Sequence, residues 1–224
     1  MTLLVLNEYV IVSDFDGTIT QEDSNDVLVH TLGTLESMQI EADFIAGRIG
    51  NREAMARHFE AMSITAKQYK EFMITTIHLD SGFDDFLTYI RNRGIPFFVV
   101  SAGFRQGIEC ILGKSRLDGV QVFANVLSGN PYLKASPAHD EPLCDKTYGP
   151  CSICKKVCID EIRQKTNKKI IYIGDGMTDR CVEADLLFAK HHLANHCEAH
   201  TLPYQPFETF DDITRFLKDC EAQI

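Results

Sequence analysis

The segment DFDGTIT, residues 14–20, sets Asp14 and Asp16 two positions apart at the end of an apolar run, and Gly17 lets the chain turn sharply there. Two carboxylates on so short a spacing can divide roles: one attacks or binds a metal while the other holds a proton. Taken alone, the segment also reads as an acidic turn capping a helix. A calcium loop is excluded, because an EF-hand needs Gly at its sixth position, and here Gly17 stands fourth and Ile19 sixth. A second acidic cluster, GDGMTD at 174–179, again ends an apolar run with Asp175 and places Asp179 about one helical turn on. Four carboxylates gathered at one place repel unless a divalent cation sits among them, and hard oxygen ligands favour Mg2+. Asp14, Asp16, Asp175 and Asp179 are therefore the candidate metal residues. An anionic group held there also needs a hydroxyl or amide and a cation. Ser101, ending an apolar run, and Lys155 or Lys156, opening a helix-like stretch, supply them.

These residues converge only if the runs preceding them lie side by side. YVIVSD (9–14), PFFVVSAG (96–103), VQVFAN (120–125), KIIYIGD (169–175) and DLLFAK (185–190) are continuous Val/Ile/Phe-rich runs without alternation. Such runs fit strands buried on both faces, hence a parallel sheet covered by helices. Helix-like stretches, RQGIECILGK, CKKVCIDEIRQKT and MTDRCVEA, separate the later runs, so the expected fold is α/β, a Rossmann-like doubly wound sheet. Residues 21–80 interrupt this pattern with helical periodicity and hardly any strand. The expected organisation is a core from residues 1–20 and 81–224 with a helical cap from 21–80. Gly94 is expected to stop the helix that follows, with Pro96 just beyond. In open α/β sheets ligands bind outside the carboxyl ends of the strands, where Asp14, Ser101 and Asp175 all fall.

The order D-x-D-G-T, then an apolar strand ending in Ser, then Lys, then G-D-G-x-x-D resembles the haloacid dehalogenase superfamily in its phosphatase branch, over nearly the whole chain. The resemblance implies that Asp14 is a nucleophile that becomes an aspartyl phosphate. It makes Asp16 the acid that protonates the leaving alcohol and later activates water. Ser101 would hydrogen-bond the phosphoryl oxygens, and Lys155 would neutralise charge between nucleophile and phosphate. Mg2+ would bind the Asp14 carboxylate, the Asp16 main-chain carbonyl and Asp175, with Asp179 in support. Physically, a carboxylate can attack a phosphate dianion only where cations offset the repulsion in a site shielded from water.

An insert between the first motif and Ser101 is similar to the helical cap of phosphoserine phosphatase-like members. DFDGTIT, PFFVVSAGF, CKK before the last motif and ADLLFAK with LPYQPFETFDDI are similar to the methionine-salvage phosphatases acting on 2-hydroxy-3-keto-5-methylthiopentenyl-1-phosphate. The implied substrate is thus a small phosphorylated metabolite. Phosphoethanolamine/phosphocholine and phosphoserine phosphatases share some of these features. Phosphoserine phosphatases usually carry Glu nine residues after the nucleophile to meet the substrate ammonium, whereas that place here is Asp23. Expected substrate contacts are Asp23, Arg52, Ala102 and Gly103. Arg48 and Arg52 are cap residues able to reach the substrate, though exposed helical arginines are usually solvated. Met55, Phe59 and Met62 are expected in the cap's own core rather than in a thioether pocket.

Composition narrows the remaining classes. A formal net charge of −10, without a Lys/Arg run, excludes nucleic acid as a partner. No segment reaches the ~20 apolar residues that cross a bilayer, and the apolar N-terminal stretch lacks a basic n-region, so a cytoplasmic monomer or homodimer is expected. Most of the eight cysteines are then reduced thiols. Cys144, Cys151, Cys154 and Cys158 have a spacing compatible with zinc, and His192, His196 and His200 would form a stripe on one helix. A zinc-dependent interaction module on an inactive fold of this type is therefore a rival reading. A phosphoaspartate receiver is another, but its acids are adjacent and its lysine comes last, whereas Lys155 precedes Asp175.

Overall fold

The computed structural model describes residues 4–139 and 151–221. Five strands appear where the apolar runs place them: β1 (Tyr9–Ser13), β2 (Phe97–Phe104), β3 (Gln121–Ser128), β5 (Lys169–Gly174) and β6 (Leu186–Ala189). Two short ones without a sequence signal, β4 (Lys134–Ser136) and β7 (Gln205–Pro206), extend the edges. The sheet order is β4-β3-β2-β1-β5-β6-β7, parallel throughout except for the β3–β4 pair. From β1 the chain passes to β2 on one side and later to β5 on the other. The crevice at this reversal lies beyond the carboxyl ends of β1, β2 and β5.

Both sheet faces are covered, which explains the runs without alternation. Tyr9 and Ile11 join one core with Val99, Ile171 and Ile173, under helices α5 (Phe83–Arg91) and α9 (Phe210–Glu221). Val10 and Val12 join the other with Val100, Ile170 and Tyr172, under α7 (Lys155–Thr166). α9 buries Phe210, Ile213, Leu217 and Cys220, the helical spacing of a one-sided apolar stripe. Helix α6 (Arg105–Leu117) follows β2, and α8 (His191–His200) follows β6.

Between β1 and α5 lie four helices: α1 (Ser24–Leu32), α2 (Leu35–Ile45), α3 (Asn51–Met62) and α4 (Ala66–Thr76). Their starts are written locally. Asp23 caps α1, Thr34 and Ser37 form a capping box on α2, and Thr65 and Gln68 form one on α4. Leu28, Met55, Phe59, Met62, Tyr69, Phe72 and Met73 pack into a separate cluster that meets the sheet at Phe104, Leu127 and Ala135. The chain leaves and re-enters the sheet layer side by side, at an antiparallel bridge between Thr20 and Leu79. Asp80 secures the return, its Oδ1 accepting from the amides of Gly82 and Phe210.

Two expectations differ from the structure. MTDRCVEA forms a 3-10 turn over Met177–Cys181 and then extended chain rather than an α-helix, because the Asp179 carboxylate draws the amides of Asp175 and Gly176 inward. Ser101 does not end its strand: β2 continues to Phe104 past an irregularity in register. Gly94, at φ +64°, does terminate the turn after α5, in the left-handed region that favours glycine.

Candidate active site

Asp14 follows the last residue of β1, and its amide donates to the Ile173 carbonyl, so the sheet ladder itself fixes its position. Its Oδ1 accepts from the Phe15 amide at 2.7 Å, and its Oδ2 lies 2.6 Å from Lys155 Nζ. Lys155, the first residue of α7, also reaches Asp179 Oδ1 at 2.6 Å and is 2 % exposed. Burial alone would lower the pKa of this lysine, but Asp14 and Asp179 together hold it above its ordinary value, so it stays charged. Burial pushes the Asp14 carboxyl well above the usual carboxylate range. Lys155 opposes that shift, and Asp179 and Asp175 add to it.

Asp179 is saturated. Its Oδ1 accepts from Lys155 Nζ and from Tyr172 Oη at 2.6 Å, and its Oδ2 accepts from the amides of Asp175 and Gly176. It thus orients the lysine and shapes the turn that presents Asp175. Asp175 accepts from Thr18 Oγ1 at 2.5 Å, and a Cβ on Gly17, at φ +71°, would stand 2.6 Å from its Oδ2. Burial, and next Asp179, raise the Asp175 carboxyl. Single oxygens of Asp14, Asp175 and Asp179 all lie within 4.8 Å of one another. One buried lysine is paired with two of these three carboxylates, so acids outnumber the cation at the site. Its donors are all oxygen, which fits a hard divalent cation.

Asp16 faces the other way from this triad. Its Oδ1 accepts from the amide and hydroxyl of Ser24, and its Oδ2 from Ser101 Oγ at 3.3 Å. Burial, assisted by Asp23, lifts its carboxyl to about 7, against hydrogen bonds from Ser24 and Ser101 that lower it. The Gly103 amide donates to Ser101 Oγ at 2.8 Å and so aims the hydroxyl at Asp16. These groups open onto a cleft of about 410 Å³ between the strand ends and helices α1–α3, with Asp14, Asp16, Ser101 and Asp175 on its floor.

A family model described as "Putative Phosphatase" matches residues 9–195. The chain belongs to this family. It is an enzyme, a phosphatase. A protein of Exiguobacterium sp. named 2-hydroxy-3-keto-5-methylthiopentenyl-1-phosphate phosphatase is 30 % identical over 213 residues, covering 93 % of this chain and 96 % of that one. A protein of the same name from Lysinibacillus sphaericus is 29 % identical over 215 residues, covering 94 % of each. Among solved structures, a phospho-aspartyl intermediate analogue of phosphoserine phosphatase shares the fold with TM-score 0.69 at 17 % identity, over 93 % of this chain and 98 % of that one. A substrate-bound phosphoserine phosphatase gives TM-score 0.65 at 18 % identity, over 84 % and 89 %.

In this phosphatase the structure separates the two neighbouring lysines: Lys155 is buried among the acids, whereas Lys156 points out to Glu183 at 3.0 Å and Asp160 at 3.5 Å. Asp23 and Ala102 line the cleft. Asp23 Oδ1 is already engaged in capping α1. Gly103 also lines it, with its amide given to Ser101. The two arginines are placed elsewhere. Arg52 Nη1 donates to the His139 carbonyl and Arg48 pairs with Asp43, so neither is among the residues lining the cleft. Met55 borders the cleft from the edge of the apolar cluster of α1–α4, while Phe59 and Met62 pack inside that cluster.

Cys144 lies outside the described residues. Cys158 is buried, with its thiol pushed up to about 12 by that burial, and so keeps its proton. His196 and His200 stack on each other in α8 while His192 borders the cleft. Among the described residues, the acidic triad is the group of three or more side chains close enough to share an ion. No helix among them is long and apolar enough to cross a membrane.

Sequence reasoning missed Tyr172, Thr18 and Ser24, which hold Asp179, Asp175 and Asp16 in place. Tyr172 read only as one of the apolar residues of β5, although buried tyrosine hydroxyls need a partner. The Gly103 position is equally constrained, because a Cβ there would collide with Asp16 Oδ2 and stand 3.1 Å from Ser101 Oγ. Gly103→Ala should therefore lower kcat/KM for phosphate release about 100-fold, the cost of roughly 1 Å of misplacement. Steady-state kinetics and a melting curve check it, and a variant with native kinetics would contradict the stated constraint.

Proposed function

We propose that this phosphatase hydrolyses a small phosphorylated metabolite through an aspartyl phosphate, with Mg2+, and that its substrate is 2-hydroxy-3-keto-5-methylthiopentenyl-1-phosphate. The observation that carries the mechanism is Lys155 Nζ, buried and 2.6 Å from both Asp14 and Asp179 at the mouth of the sheet. Support for the substrate comes from the names of relatives matched along almost their full length. An apolar strip in the cleft, Phe44, Ile45, Met55 and Met177, also suits a thioether.

In this reading the Asp14 carboxylate attacks phosphorus while Asp16 gives its proton to the leaving alcohol oxygen. A carboxyl lifted to about 7 holds that proton near neutral pH. Asp16, now ionised, takes a proton from a water that attacks phosphorus, breaking the bond to Asp14 and releasing inorganic phosphate and the free carboxylate. Ser101 donates to a phosphoryl oxygen, steadied by the Gly103 amide. Lys155 lowers the repulsion between nucleophile and phosphate. Mg2+ held by Asp14, the Asp16 main-chain carbonyl and Asp175 would supply positive charge to the phosphoryl oxygens as a Lewis acid. The helices α1–α4, proposed as a cap, would exclude water and read the substrate. A second reading, phosphoserine or phosphoethanolamine, is favoured by the carboxylates of Asp23, Asp26 and Glu41 along the cleft.

Asp14→Asn should abolish phosphate release with the fold retained, as circular dichroism checks, and with a lowered melting temperature because Lys155 loses one of its two buried carboxylates. On a panel of phosphorylated metabolites, kcat/KM of the unaltered enzyme should favour the methylthio substrate; equal, low rates on all would reject that substrate. At about 100 times its Kd, Mg2+ should raise Tm by about 5–10 °C, and Asp175→Asn should remove that shift. An undiminished shift in the variant would remove Asp175 from the metal site. The proton of Asp16 is present below its folded pKa and lost above it, so kcat on an alkyl phosphate should fall as pH rises through about 7. A rate that keeps rising there would assign the acid to another group.

A further inference from the structure

Two spaces share a wall made by Phe44, Asn51, Ala102, Met177 and Thr178. One is the cleft above the acids, and the other is a narrower side chamber of about 50 Å³. Ile153 and Cys154, just before α7, and Cys181, at the end of the 3-10 turn, line the chamber and not the cleft. The chamber starts beside the chemistry, because Lys155 also lines it and Ala102 follows Ser101 in the chain. A single water needs ~10–15 Å³ of such space, so the chamber has room for a group of a few heavy atoms.

The lining selects the chemistry of that group. Phe44 and Ile153 are apolar, and Cys154, Cys181 and Met177 add polarisable sulfur, which packs well against thioethers and aromatic rings. Three of the polar lining residues already have partners within the protein. Lys155 meets Asp14 and Asp179, Asn51 Oδ1 accepts from Ser152 Oγ at 2.5 Å, and Arg180 Nε donates to the Met177 carbonyl. A hydroxyl or a charge brought here from water would give up hydration without a matching gain. Burial also separates the chamber from the apolar strip of the cleft. Ile45 of that strip is 72 % exposed, so a tail laid along it stays wet, whereas Ile153 and Cys154 are 4 % and 5 % exposed. The gain follows the apolar area removed from water, so the same tail gains more in the chamber.

Resting on the phosphatase reading above, we propose that this chamber receives the apolar end of the substrate, and that Ile153 and Cys181 set how long that end can be. A methylthio group is of the right size and softness. One side of the chamber comes from α2 and α3, through Phe44 and Asn51, and the other from the sheet and the segments after it. Ser152 joins the two sides: it donates to Asn51 and accepts from Asn125 Nδ2 at 2.9 Å. Recognition of the tail therefore requires α2 and α3 to be seated on the core.

The test uses Mg2+-supplemented enzyme and alkyl monophosphates of three to seven carbons ending in methyl, methylthio, hydroxyl or carboxylate. At the best chain length, kcat/KM for the methyl and methylthio ends should exceed that for the hydroxyl end by roughly 10- to 100-fold, the penalty for burying a hydroxyl without a partner. The carboxylate end should be the poorest. Ile153→Ala lengthens the chamber and should move the best length about one or two carbons longer. Cys181→Phe fills it and should move the best length shorter, with the apolar preference falling toward unity. Cys181 is partly exposed, so its variant keeps the test decisive if Ile153→Ala fails to fold. A best length and a preference unchanged in both folded variants overturn the chamber as the tail's site while leaving the phosphatase reading intact. Indifference to the end group, or preference for hydroxyl or carboxylate, in the unaltered enzyme does the same. Release from none of the esters by the unaltered enzyme overturns that reading and this inference together.

Discussion

A lysine ammonium with 2 % of its residue surface exposed can remain in the interior only if carboxylates meet it, and Lys155 is met by two, at 2.6 Å each. Removing one partner of such a buried pair typically costs about 3–5 kcal/mol, so the arrangement is stringent. It ties together three parts of the chain: the end of β1 through Asp14, the start of α7 through Lys155 itself, and the turn after β5 through Asp179. Tyr172 adds a fourth link from inside β5. The sheet places these ends next to each other because β5 pairs with β1 in register along Tyr9–Ser13.

The same bridge leaves the site short of positive charge, and that shortage is where its chemistry lies. Asp14 and Asp175 are both pushed upward by burial and by their acidic neighbours, despite the lysine. In the proposed mechanism, a site made unfavourable by its unpaired acids gains when a divalent cation and a phosphoryl group arrive together. Asp16 is insulated from this by its own partners, Ser24 and Ser101. Burial raises its carboxyl as it raises theirs, but the bonds that oppose the shift come from Ser24 and Ser101 rather than from the lysine.

Much of this was readable in the chain. The apolar runs gave the strands because both sheet faces are buried, which removes alternation and leaves an unbroken signal. Asp23, Thr34 and Thr65 cap α1, α2 and α4 through local bonds, a sequence signal that the motif reading passed over. Reading failed where a long-range contact decided the outcome. GMTDRC carries a helix-like pattern, yet Asp179 bonds back to the turn before it and across to Lys155 and Tyr172, so the segment tightens into a 3-10 turn. Arg52 had the right type and helix for a substrate contact, but its direction depends on where the chain at His139 passes.

The sequence by itself determined the order of the elements, the identity of the acids at the strand ends, and the presence of a helical stretch before the second strand. Each of these follows from local pattern and residue chemistry. Only the tertiary structure decided which of two adjacent lysines turns inward, because a rotation of about 100° per helical residue sends Lys155 to the acids and Lys156 to solvent. It also decided that Asp179 is saturated by four donors and that Gly103 must leave room for Asp16. Those outcomes depend on approach distances between segments far apart in the chain, and no spacing along the chain encodes them.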